Sequence, residues 1–235
     1  MTEALAFPAL LRQAGAIMTQ RDGRSVPAHY GSVAAELAVC SAGVGLGCRS
    51  DLSVISVAAA PRGIEQILTR MVGHGIAPRG VVEDSGVWWC RAASGGEVVV
   101  VCRPGQAFRL RAELRCATGR LTGGTVTDLS DSSFLLHIIG RRAGAVLADL
   151  GVYGSDRDPA SAPPFAETLV AGHAVSWLLA VPSGALAIVD RESAGDVWRA
   201  VEAAGRPHRM GYVGLESIDR FVMAERAKRR AGPQL

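Results

Sequence analysis

Apolar and polar residues follow helix and strand periodicities in a fixed order between residues 50 and 128. Residues 52–57 form a short apolar run that predicts a strand. Pro61 then opens a helix with apolar residues at three- and four-residue spacing, and Gly73 ends it. Two strands at 87–91 and 97–102 flank a Ser-Gly-Gly turn typical of a hairpin. A helix at 106–117 and a short strand at 125–128 complete a β-α-β-β-α-β order.

The same order repeats between residues 132 and 214. The pattern predicts strands at 134–139, 173–180, 185–189 and 209–213, and helices at 141–150 and 193–204. Ser193 and Asp196 predict a capping box for the second of these helices. A last helix is predicted at 215–230. The fold class is therefore α+β, with two tandem ferredoxin-like units at about 50–128 and 132–214 that are expected to enclose a cavity. Residues 1–25 give no clear pattern, and the loop at 152–164 is a candidate mobile segment.

Composition narrows the class of protein further. The chain has 235 residues, of which 49% are apolar and 20% charged, so a disordered chain is excluded. The longest apolar stretch, at 175–189, is interrupted at 182–184 and predicts no membrane span. The start of the sequence does not resemble a signal peptide, so a cytoplasmic location is expected. A net charge of +3 with scattered charges indicates no nucleic-acid partner. The basic segment at 226–235 is interpreted as a solvated helix end.

Several common chemistries are also excluded. Lys228 is the only lysine, so neither a pyridoxal Schiff base nor a phosphate-binding P-loop is possible. The cysteines form no CxxC pair and the histidines are dispersed, so no metal site is predicted. His137 is interpreted as a core or surface histidine. The glycines at 43, 45 and 47 do not form a dinucleotide-binding loop, because a helical pattern precedes them and a strand pattern follows.

Four segments resemble, in order and spacing, the glycine cleavage system T-protein (aminomethyltransferase) family. The first is Pro-Ala-His-Tyr-Gly-Ser at 27–32, followed by Glu36 and Gly-Val-Gly-Leu at 43–46. The second is Gly-Val-Val-Glu-Asp at 80–84 with the strand at 98–101. The third, Val-Thr-Asp-Leu-Ser at 126–130 with Leu-His-Ile-Ile-Gly at 136–140, is similar to the gamma subunit of heterotetrameric sarcosine oxidase. The fourth is Gly-Leu-Glu-Ser-Ile-Asp at 214–219.

The resemblance implies a folate-binding domain over residues 26–225, with tetrahydrofolate in a central channel and without the C-terminal barrel of full-length T-proteins. It assigns the catalytic carboxylate to Asp84. A carboxylate held in an apolar channel can exchange protons with an amine. The expected cofactor-binding residues are those at the remaining matched positions and the aromatic neighbour of Asp84: Tyr30, Glu83, Trp88, Cys102 and Asp219.

Three family positions differ in this chain. Cys102 replaces an asparagine, Ile218 replaces an arginine, and the segment at 178–186 lacks the glutamate that pairs with the pterin ring. Three hypotheses therefore stay open. The chain is a folate-dependent one-carbon transferase or demethylase, a non-catalytic accessory subunit resembling sarcosine oxidase gamma, or a repurposed enzyme acting on another small molecule. The corresponding partners are a small-molecule substrate, a partner protein subunit or another copy of the chain, with no membrane partner expected.

Overall fold

The computed structural model describes residues 7–154, 158–181 and 183–231. Over these residues the chain forms seven α-helices, two large sheets and one separate hairpin. The helices are α1 (Phe7–Gln13), α2 (Val33–Ala42), α3 (Pro61–Val72), α4 (Pro104–Thr118), α5 (Ala143–Asp149), α6 (Ala194–Gly205) and α7 (Leu215–Ala231). The strands are β1 (Ile17–Arg21), β2 (Arg24–His29), β3 (Val44–Cys48), β4 (Ser53–Ala58), β5 (Val81–Asp84), β6 (Val87–Arg91), β7 (Glu97–Cys102), β8 (Thr125–Asp128), β9 (Ser133–Ile139), β10 (Phe165–Val170), β11 (His173–Leu178), β12 (Gly184–Asp190) and β13 (Met210–Tyr212).

The first unit is an antiparallel sheet in the order β5-β6-β7-β4-β8, with α3 and α4 packed on one face. Its β-α-β-β-α-β connectivity confirms the predicted fold class. Helix α3 buries Ile64, Ile67 and Leu68 against the sheet, and Gly73 ends it in the left-handed conformation at φ +83°. Strand β5 is an additional edge strand that the periodicity did not predict.

The second unit has the sheet order β10-β11-β12-β9-β3-β13. Strand β3 comes from the region before the first unit and lies between β9 and β13, antiparallel to β9 and parallel to β13. The sequence predicted neither β3 nor β10. Helix α5 is shorter than predicted. The predicted capping box of α6 is wrong, because the Ser193 hydroxyl makes no capping bond and Asp196 instead contacts His173 and Arg199.

The ends of the chain are partly described. Residues from 7 onward form α1 and the β1–β2 hairpin, which the sequence left undetermined. Helix α7 covers the predicted helix at 215–230, and the described part of the basic segment lies on it. Residues 1–6, 155–157, 182 and 232–235 lie outside the described residues, so the expectations for the 152–164 loop, the 182–184 turn and the tail are tested only in part. No helix in the described part of the chain is long and apolar enough to cross a bilayer.

The two sheets pack directly against each other. Apolar side chains from both sheets meet there and form a buried cluster, which we call the inter-sheet core: Leu52, Val54, Cys90, Val99, Val101, Leu135, Phe165, Leu178, Val181 and Leu186. Separate clusters lie between each sheet and its own helices. Side chains therefore fill much of the space in which the sequence predicted a cavity, and an opening of about 360 Å³ remains beside Leu52 and Leu135.

Candidate functional site

Asp84 lies at the end of β5, the outer strand of the five-stranded sheet, and its side chain is exposed. The Ser85 hydroxyl donates to Asp84 Oδ1 at 3.2 Å. The expectation that an apolar channel surrounds this carboxylate does not hold for the chain on its own. The catalytic role of Asp84 stays a prediction.

Glu83 and Trp88 face each other across the β5–β6 pair. Glu83 Oε1 accepts a hydrogen bond of 3.0 Å from Nη2 of Arg226, which ties α7 to the edge of the sheet. Trp88 packs at the margin of the inter-sheet core. Its indole N–H is buried and has no acceptor among the described residues. The Trp88 ring therefore lies on the same face of the sheet as Glu83, whereas Asp84 is on the opposite face with its strand partner Val87.

Cys102 ends β7 on the face that packs against α3 and α4, whereas its neighbour Val101 faces the inter-sheet core. Burial raises the pKa of the Cys102 thiol to about 11. The thiol is therefore protonated near neutral pH and is not a nucleophile there. This position does not meet Asp84 or Trp88 in a common pocket.

Tyr30 and Asp219 lie elsewhere. The Tyr30 ring packs 5.4 Å from that of Tyr212, and its hydroxyl is buried without a partner in the described part of the chain. Burial raises the pKa of Tyr30 well above its usual value. Asp219 accepts a hydrogen bond of 2.7 Å from Arg21 and joins α7 to the β1–β2 hairpin. The structure thus places Glu83, Asp84 and Trp88 at one edge of the sheet, with Asp84 on the opposite face from the other two, and it separates the other three predicted residues from them.

Glu36 connects two of the segments that carry the family resemblance. Its carboxylate accepts hydrogen bonds from the Tyr30 N–H at 2.5 Å, the Gly214 N–H at 2.8 Å and the Ser217 hydroxyl at 2.7 Å. The Glu36 side chain is buried, and these hydrogen bonds stabilise its charge there. The opening segment at 27–36 and the closing segment at 214–219 therefore meet at one carboxylate, which holds the start of α7.

The described residues do not fit tetrahydrofolate in the space between the sheets. A buried pterin needs a carboxylate for its amino and N–H donors. Glu36 already accepts three hydrogen bonds from the protein, and Asp51, the other buried carboxylate among the described residues, is paired with Arg49 at 2.8 and 2.9 Å. The inter-sheet core itself is apolar. No cluster of metal-ligating side chains occurs in the described ranges either.

Two cavities lie outside the predicted site. One of about 360 Å³ lies where the chain crosses between the two sheets, against α1 and the β1–β2 hairpin. A more polar groove of about 660 Å³ lies between α2, α5, α7 and the β11–β12 turn. In the groove, Glu225 already binds the Ser183 hydroxyl at 3.2 Å and Lys228 at 2.6 Å. The sequence predicted a cavity between the two units but not the residues that line this one, and it did not predict the groove, because both are formed by segments that are distant in the sequence.

The fold is a mixed α+β arrangement of two β-α-β-β-α-β units with an inserted strand, and it is similar to the fold of an aminomethyltransferase. No protein-family model matches the sequence, and no curated protein matches it. The comparison with solved structures is therefore what identifies the fold.

Two of the solved structures that are similar to this chain define the likeness. The first is glycine cleavage system aminomethyltransferase T from Bartonella henselae, with a TM-score of 0.66, 18% identity and 93% of this chain covered. This chain spans 61% of that protein. The second is a chain of heterotetrameric sarcosine oxidase from Corynebacterium sp. U-96, with a TM-score of 0.60 and 20% identity. There the match covers 77% of this chain and 95% of the oxidase chain. The predicted resemblance is confirmed at the level of the fold.

Proposed function

We propose that this chain is a T-protein-like subunit whose Asp84 edge is completed by a partner protein, and that it does not act as a transferase on its own. The observation that carries the proposal is the exposure of Asp84 on the outer strand of the five-stranded sheet. Proton transfer to a substrate amine is favoured when the active site closes and excludes water. In this chain a partner protein must cover Asp84 and exclude water from it.

The surface next to Asp84 supports a partner at this edge. Met223 is 71% exposed and lies three residues before Arg226, on the same side of α7 as the Arg226–Glu83 ion pair. An exposed large apolar side chain beside a cluster of charges and an open strand edge is typical of a surface that binds protein. The partner would present an apolar contact for Met223 and basic groups for Glu83 and Asp84.

The extent of the structural match supports the same proposal. The similarity covers nearly all of the sarcosine oxidase chain but only part of the aminomethyltransferase. That oxidase is heterotetrameric, so a similar fold occurs as one subunit of a larger assembly. By analogy of fold, this chain is proposed to be an accessory subunit.

A second candidate is one-carbon transfer on tetrahydrofolate by the chain alone, with Asp84 as the proton-transfer group. The position of the Trp88 ring opposite Glu83, at the margin of the inter-sheet core, favours it, because a pterin or aminobenzoate ring could stack there. The same surface would then be the ligand site without any partner. Cys102, Tyr30 and Asp219 would have no direct contact with such a ligand.

Calorimetric titration of the folded chain with tetrahydrofolate and with 5-formyl-tetrahydrofolate distinguishes the two candidates. The accessory-subunit proposal predicts no saturable heat up to high micromolar ligand. Saturable binding that Asp84→Asn weakens at least tenfold, and that the control Asp190→Asn leaves unchanged, would establish the second candidate instead. Asp190 is a suitable control because it is also exposed at the end of a strand.

A further inference from the structure

The cavity of about 360 Å³ lies at the crossing between the two units. The chain passes from the six-stranded to the five-stranded sheet through residues 49–52, and it returns through residues 129–132. These two connectors, α1, the β1–β2 hairpin and the start of β9 form the cavity wall. None of the residues predicted to bind folate lines it. Its volume is in the range of pockets that hold compact ligands.

Three arginines line this cavity, and two of them are fixed by the fold. Arg191 donates from Nε to the Asp131 carbonyl at 2.5 Å, and its guanidinium lies 5.6 Å from the centre of the Phe134 ring. Its terminal Nη groups have no partner in the described part of the molecule. Arg24 donates from Nη1 to the Leu52 carbonyl at 2.6 Å and from Nη2 to the Ser53 hydroxyl at 3.1 Å, and only its Nε–H is without an acceptor among the described residues. Guanidinium groups held in this way can bind an oxyanion with little loss of entropy.

Arg12 adds a third positive charge, and it has no hydrogen-bond or ion-pair partner among the described residues. The opposing charge in the cavity wall is the carboxylate of Asp131, which makes no ion pair in the described part of the chain. Three cations against one carboxylate leave a net positive cavity. Such a cavity attracts anions.

Ser133 adds a neutral hydrogen-bond donor to the cavity wall. It lines the cavity at the start of β9 and is only 6% exposed. Its hydroxyl has no hydrogen-bond partner within the described ranges. The oxygen is not among the fully buried polar atoms, so it is accessible from the cavity and can donate a hydrogen bond to a ligand there.

The remaining wall is apolar and includes Leu11, Met18, Leu52 and Leu135. A bare inorganic ion would leave this surface unused. We propose that the cavity binds a small organic anion, in which a carboxylate or phosphate group contacts Arg191, Arg12 and Ser133 and a compact apolar body contacts the aliphatic wall. This site is separate from the Asp84 edge and does not depend on the function proposed for it.

The test uses the full chain at low ionic strength, with NMR titration of benzoate, phenyl phosphate, inorganic phosphate and uncharged benzyl alcohol. The proposal predicts saturable shifts that include the Ser133 amide for benzoate or phenyl phosphate. The preferred of these two shows which oxyanion the site selects. Binding of inorganic phosphate and benzyl alcohol is expected to be at least tenfold weaker, because each lacks one half of the recognised chemistry.

Arg191→Gln and Ser133→Ala are the test variants, and Arg199→Gln, an exposed arginine on α6 outside the cavity, is the matched control. Arg191→Gln should weaken binding at least tenfold, Ser133→Ala severalfold, and Arg199→Gln not at all. Three results would overturn the proposal. They are no saturable binding of either aromatic anion at 10 mM (on the order of the weakest ligand affinities), equal binding by Arg191→Gln, or equal affinity for inorganic phosphate.

Discussion

At the scale of single residues, His137 shows most clearly how the fold uses a polar side chain that the sequence left open. It lies in the middle of β9, is 2% exposed, and neither ring nitrogen has a partner in the described chain. Strand alternation puts it on the same face as Leu135, which belongs to the inter-sheet core. Of the two interpretations made from sequence, core and surface, the structure supports the core. His137 is neutral there, and burial lowers its pKa to about 3.

This histidine makes the protein sensitive to acid. The unfolded chain takes up the proton near the ordinary pKa of 6.5, whereas the folded chain does so only near pH 3. The contribution of His137 to the free energy of unfolding should therefore fall by about 1.4 kcal/mol per pH unit as the pH drops below about 6.5. Arg49, paired with Asp51 nearby, acts in the same direction. Urea unfolding at several pH values between 7 and 4.5 measures the slope.

The matched variants for this prediction are His137→Leu and His74→Gln, since His74 is exposed. His137→Leu should reduce the slope of the free energy of unfolding against pH by about 1.4 kcal/mol per pH unit, which is the contribution of one proton. His74→Gln should leave this slope as in the wild type. An unchanged slope in His137→Leu would mean that this ring is not buried and neutral in the folded protein.

The role of Glu36 is also visible only in the folded structure. Replacing it by glutamine keeps its size but removes the charge and one acceptor oxygen that the Tyr30, Gly214 and Ser217 donors share. Hydrogen bonds to a charged group and the cost of an unpaired buried donor together predict a loss of about 2–4 kcal/mol in the free energy of unfolding. Glu216→Gln, at an exposed position in the first turn of α7, should change stability by less than about 0.5 kcal/mol. Equal stability of both variants would contradict this role for Glu36.

At the scale of elements, β3 explains a glycine pattern that resembled a ligand loop. Val44, Leu46 and Cys48 face the core under the six-stranded sheet, while the alternate glycines face the layer of α2 and α7. A Cβ on Gly47 would lie 2.7 Å from the Val213 carbonyl oxygen and 2.6 Å from Ile218 Cδ1. The glycines are needed because the backbone of β3 passes close to its neighbours.

Gly47→Ala should therefore destabilise the protein by about 2 kcal/mol or more, because the Val213 carbonyl is backbone and cannot move aside cheaply. Gly105→Ala is the control, since it lies in α4 with no atom near the added Cβ. It should be neutral or stabilising by up to about 1 kcal/mol. Thermal unfolding of both variants measures the difference, and a Gly47→Ala protein as stable as the control would contradict the close packing of β3.

The predicted and missed elements differ in a physical way. The structure confirms the elements that have a clear periodicity in the sequence. These are helices α3, α4, α6 and α7 and strands β4, β6, β7, β9, β11 and β12. Strand β5 has four residues and ends in two acids, and β3 alternates glycine with apolar residues. Their strand conformation comes from pairing with partners far along the chain. The local sequence does not show which distant strands will pair, so these two strands could not be predicted from it.

At the scale of the whole molecule, the two-unit architecture was predictable because each unit repeats one order of elements. The contents of the central space were not predictable. Whether two sheets enclose a channel or pack directly depends on side chains from Leu52 to Leu186 that meet only after folding. The resemblance correctly indicated the fold, but it placed Asp84 inside a channel, whereas β5 is the outer strand of its sheet. The residues that line the cavity of about 360 Å³ could not be predicted, because they lie in segments that are distant in the sequence.

The measurement that tests the central claim most directly is photo-crosslinking at the Asp84 edge in cells of the source organism. A photoreactive amino acid replaces Met223, next to the Arg226–Glu83 pair, or, as the control, Phe108, which is 77% exposed on α4. The account predicts one crosslinked partner protein of defined mass from position 223 and none from position 108. Adding Asp84→Lys should reduce that crosslink at least fivefold, because it reverses a charge that the partner's basic groups face. Absence of a partner at position 223, or a crosslink unaffected by Asp84→Lys, would contradict the account.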